Sequence, residues 1–344
     1  MKNYQIKIFN KNNVFKRVIS PSLIMSDISF TWQENGGQGQ CTISLNLKID
    51  NDWFIEWDIA RITVFDDNNI NWRLIYSWII TKIKFNIEGD GEYIQIVCIW
   101  LYSLLSDLFF NQSWYVFTKN QNPAQTIKDM IDYFNSVYTW WIFTYTWVAN
   151  YTSSIDISFN YTNCMNVLQQ IQKATSDFYF YVGADWNVVY RSLTDVSIPN
   201  NRLKFENEVD SMTIDRNYES TKNNVFVQYW SSVTSAISDA TSITTFWQKD
   251  IKIQLQGLDD LTTANIYWNN YLEENKITKS ITVLGINSRY DLELFEPWQT
   301  ITLLNTTYTF NRLQIARLQY SREKVVLYVN KFESFAWSIL QENE

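Results

Sequence analysis

Histidine is absent from the 344 residues, and that absence excludes more function classes than any other feature of the composition. Ser–His–Asp and Cys–His catalytic arrangements need an imidazole, as do His-ligated zinc and iron sites, so none of these is available. Cysteine is scarce too. Cys41, Cys98 and Cys164 are scattered and odd in number, the pattern of small buried residues rather than of a disulfide framework or a metal site. No apolar run approaches the roughly 18 residues that would cross a bilayer as a helix, so stable membrane insertion is not expected. The start, Met1-Lys2-Asn3-Tyr4-Gln5-Ile6-Lys7-Ile8, alternates like a strand and lacks the continuous apolar stretch of a leader; the mature chain is expected to begin near Met1. A basic excess is also lacking. The net charge of −8 argues against broad electrostatic binding to nucleic acid, and no sequence readout is expected.

Glycine is the last scarcity, and it comes with an excess. There are 8 Gly and 16 Trp, whereas a chain of this length ordinarily holds about 24 Gly; the two counts together reach that number. Position links them. Gly183-Ala184-Asp185-Trp186-Asn187 separates two strand-like runs, where Asp-Gly would be the strongest short hairpin signal. Asn71-Trp72 precedes a strand where Asn-Gly is expected, and Pro297-Trp298 stands where Pro-Gly would make a type II turn. A bulky residue is a poor occupant of positive φ. We therefore read many of these Trp as UGA codons that the source translates as Gly, an alternative genetic code. Trp32, before Gln33-Glu34-Asn35-Gly36-Gly37, is a candidate genuine Trp. The competing reading is a Trp-rich core or an aromatic binding surface.

What is present is ordinary for globular protein: 46% hydrophobic and 19% charged residues, enough for two or more domains. Strand signals fill the first part, at Tyr4–Phe9, Asp27–Trp32, Cys41–Leu47, Ala60–Phe65, Arg73–Ile79, Lys82–Ile87 and Tyr93–Cys98. Helical spacing of Ile127, Met130, Ile131 and Phe134 behind Pro123 predicts a helix, and Val167, Leu168, Ile171 and Ala174 predict another over Asn163–Thr175. Strands follow at Phe178–Val182 and Val188–Arg191. Beyond residue 205 the expected strands are Ser211–Ile214, Asn224–Tyr229, Thr241–Phe246, Thr278–Val283, Thr300–Leu304, Tyr308–Phe310, Leu313–Tyr320 and Lys324–Val329, with a helix at Leu261–Asn275.

No local motif selects catalytic, cofactor-binding or metal-ligating residues. Asp66-Asp67, between Phe65 and Asn68-Asn69, reads as a hairpin turn; it lacks the ligand spacing and closing Glu of a calcium loop. The chain is not expected to be an enzyme or to need a cofactor.

Four segments carry a resemblance. Asn35-Gly36-Gly37-Gln38-Gly39-Gln40-Cys41-Thr42-Ile43 looks like a Gly-rich link into a strand. Arg73–Ile83, with Ser77-Trp78-Ile79-Ile80, is similar to a strand broken at a glycine. Asn163–Thr175 with Phe178–Tyr190 resembles a helix, strand, Asp-Gly turn and strand, and Leu292–Ile301 resembles a Leu-x-Pro-Gly-x-x-Val turn. Together they resemble phage tail hub proteins: the contractile-tail baseplate hub, the late control protein D family and related tail-tip proteins. Trp72, Trp78, Trp186 and Trp298 are thus the positions where Gly is expected, Trp78 on the family pattern alone and Trp298 on that pattern as well as on turn chemistry.

The resemblance implies a β-rich α+β fold with two tube-like β-barrel or sandwich domains and smaller inserted α+β domains. The divisions it implies are 1–107 and 206–240 plus 290–344 for the two β-domains, 108–205 for an α+β insertion, and 241–289 for a small helix-containing insertion. It further implies a homotrimer in the virion tail, assembled in the host cytoplasm, that joins a tail tube protein to a spike or fibre protein. A carbohydrate-binding or adhesin-like β protein is the alternative, and a tail-associated peptidase a third class with no His to serve it.

Overall fold

The computed structural model describes residues 4–25, 28–33, 39–47, 54–66, 71–88, 91–110, 122–139, 143–149, 151, 155, 157, 159, 162–175, 178–192, 200–204, 208–216, 221–229, 232–254, 261–276, 279–287, 295–296, 299–304, 309–320 and 324–331. The fold is β-rich α+β, as the sequence signals imply.

The first sheet is built from β1 (Tyr4–Phe9), β2 (Phe15–Ile19), β4 (Cys41–Leu45), β5 (Ile59–Asp66), β6 (Asn71–Glu88) and β7 (Gly91–Trp100), while β3 (Phe30–Gln33) leaves it. Its order is β2-β1-β5-β6-β7-β4. Alternation explains the register: Tyr4, Ile6 and Ile8 are buried while Gln5 and Lys7 between them are not. The two ends of this order approach each other. A single 3₁₀ turn, Pro21–Leu23, follows β2, and Ile24 then bridges Leu45 of β4. The sheet thus curls toward a barrel and covers its own edges, the standard answer to unpaired strand edges. Strands expected at Arg73–Ile79 and Lys82–Ile87 are one long strand, β6, with its register shift against β7 between Ile80 and Lys82. β2 carried no signal because Lys16 and Arg17 interrupt an exposed edge sequence.

A middle unit follows: α1 (Leu104–Asp107), β8 (Phe109–Phe110), α2 (Pro123–Val137), β9 (Thr144–Val148), β10 (Thr162–Asn163), α3 (Cys164–Ala174), β11 (Phe178–Val182) and β12 (Asn187–Ser192). Asn122 caps α2, its Oδ1 accepting from Ala124 N at 3.0 Å, with Pro123 at the first helical position. Asn163 caps α3 by accepting from Asn166 N at 2.7 Å. Both helices bury the expected faces against β11 and β12 in one core with Ile59 and Ile79 of the first sheet. β9 joins β12 in parallel, held by Asn187, whose Oδ1 accepts from Thr146 N at 3.0 Å and Thr144 Oγ1 at 3.1 Å.

The last sheet contains β13 (Asn200–Lys204), β14 (Val209–Arg216), β19 (Lys279–Asn287), β20 (Thr300–Leu304), β21 (Thr309–Tyr320) and β22 (Lys324–Lys331), in the order β13-β20-β21-β22-β19-β14, with β3 added to β21. Its terminal strands β13 and β14 meet through Glu208 N donating to Lys204 O at 3.0 Å, so this sheet curls as the first does. Between β14 and β19 lies a small unit: β15 (Asn224–Tyr229), β16 (Ser232–Val233), β17 (Ile237–Ser238), α4 (Ala240–Phe246), β18 (Asp250–Gln254) and α5 (Leu261–Asn275). The divisions implied by the resemblance group 224–238 with the second β-domain and 279–287 with the insertion; the strand pairing differs. β15 joins β16, β17 and β18 in a separate sheet covered by Tyr267, Trp268 and Leu272 of α5, whereas β19 lies between β14 and β22.

One expected strand is a helix. Thr241–Phe246 carries β-branched residues that signal a strand, yet Asp239 accepts from Ser242 N at 2.6 Å and caps α4. A cap satisfies an otherwise orphaned donor, and local capping here outweighs weak side-chain propensity.

The two large sheets share one core, in which Ile6, Ile62, Tyr76 and Ile94 join Ile301, Leu313, Val325 and Val329. Phe30 stacks on Tyr320 at 4.9 Å between ring centroids, Tyr4 packs edge-on to Tyr320, and their hydroxyls hydrogen-bond.

Candidate functional site

A cleft of about 390 Å³ is lined by Trp32, Trp147, Tyr181, Asp185, Arg191 and Glu296, among others. β11 and β12 bring Tyr181, Asp185 and Arg191 to it, and β3 brings Trp32. The Arg191 guanidinium lies 5.2 Å from the Trp147 ring centroid, a cation–π contact. Asp185 is engaged by its own turn, its Oδ1 accepting from Asn187 N at 3.2 Å. Burial pushes the Tyr181 phenol well up, helped by the Glu296 charge, so it is a hydrogen-bond donor rather than a base at neutral pH.

The cysteines are buried and unbridged. Burial pushes Cys98 well up and Cys164 to about 12, so both remain thiols and lack the thiolate that a nucleophile or metal ligand requires. Among the described residues no cluster of three or more His, Cys, Asp or Glu could hold a metal ion. Asp66 ends β5 opposite Asn71 of β6; Asp67 lies outside the described residues.

The four positions singled out for Gly fall in three settings. Trp186 has φ +70° and closes the β11–β12 hairpin, with its N donating to Gly183 O at 3.0 Å and Gly183 N donating to Asn187 O at 2.9 Å. Its indole is 6% exposed and donates to Ser77 Oγ at 3.3 Å. Trp72 and Trp78 are both in extended β6. Trp72 pairs with Phe65 and is exposed, while Trp78 is fully buried against Tyr76 and its Nε1 has no hydrogen-bond partner among the described residues. Trp298 lies outside the described residues. Two further Trp among the described residues have positive φ that the sequence reading did not single out: Trp57 at +74° and Trp247 at +62°. For Trp247 the missed signal was the end of α4, misread as a strand; for Trp57 it was the turn just ahead of β5.

No protein-family model matches the sequence, and no curated protein matches it. Solved structures do. The chain is similar to a tail protein from Neisseria meningitidis MC58, at 10% identity and a TM-score of 0.65 over 98% of each chain. It is also similar to the 43 kDa tail protein of prophage MuSo2 from Shewanella oneidensis, at 9% identity and a TM-score of 0.63 over 94% of this chain and 97% of that one. A third is the prophage tail protein gp18 from Listeria monocytogenes EGD-e, at 10% identity and a TM-score of 0.59 over 98% of each chain. These matches run over nearly the full length of each chain, and the chain therefore has the fold of these tail proteins.

Proposed function

We propose that the chain is a structural, non-enzymatic subunit of a phage-like tail, serving as the hub that joins the tail tube to a spike or fibre. The observation that carries this reading is similarity along the whole chain: 98% of both this chain and the Neisseria tail protein superimpose. An E. coli protein described as a type VI secretion component similar to the T4 tail proteins gp27 and gp5 matches as well, at 10% identity and a TM-score of 0.51 over 88% of this chain and 72% of that one. Two curled sheets sharing one core suit a role in which shape is the function. In the hub reading three copies form a ring, with tube protein on one face and spike or fibre protein on the other, and the two β-domains of each copy supply pseudo-sixfold symmetry. The adhesin alternative needs an aromatic platform, whereas among the described residues the exposed Trp57, Trp72, Trp147 and Trp247 lie ahead of β5, on β6, on β9 and at the end of α4.

Immunogold labelling of tailed particles from the native host tests the role. Label confined to the distal tail end is expected; label along the shaft or on fibres would overturn the hub assignment.

A further inference from the structure

Four described non-glycine residues have positive φ: Asn13, Trp57, Trp186 and Trp247. Three are tryptophan, although left-handed backbone selects for Gly and then Asn.

Each turn states the requirement separately. Asp58 N donates to Ile55 O at 3.1 Å, closing a four-residue turn in which Glu56 keeps negative φ and Trp57 has +74°. That is a type II turn, whose third position calls for Gly. Trp247 ends α4 with φ 62° and ψ 165°, a region essentially confined to glycine. Trp186 occupies the left-handed residue of a three-residue hairpin loop, the G1-bulge position.

The chain contains an internal control for the last case. The β1–β2 hairpin has the same pattern: Asn13 N donates to Asn10 O at 2.9 Å and Asn10 N donates to Val14 O at 2.9 Å. There the left-handed position is filled by Asn, which tolerates it. One turn geometry thus takes a permitted residue in one hairpin and tryptophan in the other.

At each site the backbone is tied to a neighbouring segment by a hydrogen bond. Trp57 N donates to Ile80 O at 2.8 Å, Thr144 N donates to Trp186 O at 3.0 Å, and Asn223 Nδ2 donates to Trp247 O at 2.8 Å. The side chain does not justify the conformation at the two exposed sites, since Trp57 is 51% and Trp247 84% exposed.

We infer that the natural chain carries glycine at positions 57, 186 and 247, each specified by UGA. The chain is then completed only in a host whose translation reads UGA as glycine. This inference is independent of the tail role. UGA is the codon that joins the two residues, being one base from UGG and one from GGA. In a host that reads UGA as stop, synthesis ends at or before residue 56.

Two measurements decide it together: the coding sequence at the three positions, and peptide mass spectrometry of the protein from its native host. UGA at all three, with peptides carrying glycine there, is the expected result. UGG at any of them, or UGA with tryptophan in the peptide, overturns the inference. Trp268, buried in the helical face of α5, is the internal reference and is expected to be UGG with tryptophan in its peptide.

Discussion

At the scale of single residues, backbone conformation separates tryptophans that look alike in composition. If the left-handed positions are strained, recombinant chain with tryptophan should improve on substitution. Trp247→Gly and Trp57→Gly are each expected to raise stability by about 1–2 kcal/mol in denaturant titration. Asn13→Gly, in a conformation Asn accepts, should change it by much less. Position 186 does not give a clean sign, because its indole packs beside Phe143 and Arg61; relief of backbone strain there opposes loss of buried contact, and the codon decides. Trp186 was legible in the sequence because Asp185 and the flanking strands frame a hairpin. Trp57 was not, since a type II turn between Ile55 and Asp58 has no Pro or Asn to announce it. Trp72 and Trp78 show the opposite limit: their neighbours suggested a turn and a break, and both residues continue β6.

At the scale of elements, caps and pegs account for what periodicity alone misses. α2, α3 and α5 were readable because their apolar spacing or length is helical and, for the first two, Asn122 and Asn163 precede them. α4 was not, because Thr241, Ile243, Thr244 and Thr245 suggest a strand and only the Asp239 cap overrides them. Asp239→Ala should cost about 1 kcal/mol locally, seen as faster hydrogen exchange over 240–246. The same helix should loosen in acid. The Ser242 N–H holds the Asp239 carboxyl below its usual range; burial opposes it, and Lys276 adds to the lowering. A depressed pKa contributes stability above the ordinary value of about 3.9, lost as pH falls through the folded value; exchange over α4 should therefore rise below that range and not above it. Asn187 is the peg of the middle sheet. Its replacement by Ala removes the acceptor for Thr146 N and Thr144 Oγ1, at an expected cost of about 1–3 kcal/mol, with protection lost over 144–148 first.

At the scale of the whole molecule, strand existence was far more legible than strand partnership. Alternation marks Tyr4–Phe9 or Asn224–Tyr229 as strands, but nothing local says that β3 leaves the first sheet for β21, or that β15 pairs with β18 rather than β14. Those choices are set by contacts distant in sequence, from the Asn224–Asp250 register of β15 and β18 to Phe30 on Tyr320 at opposite ends of the chain. Because that pair sits in the core shared by both large sheets, Phe30→Ala should cost about 3–5 kcal/mol, and the two sheets should melt together rather than in separate steps. In the proposed hub, the core shared by the two large sheets lets each chain act as one segment of a ring of three. Native mass spectrometry of the purified full-length chain tests it most directly. A species of three times the 41.0 kDa chain mass is expected, and a strict monomer persisting at high concentration would contradict the account.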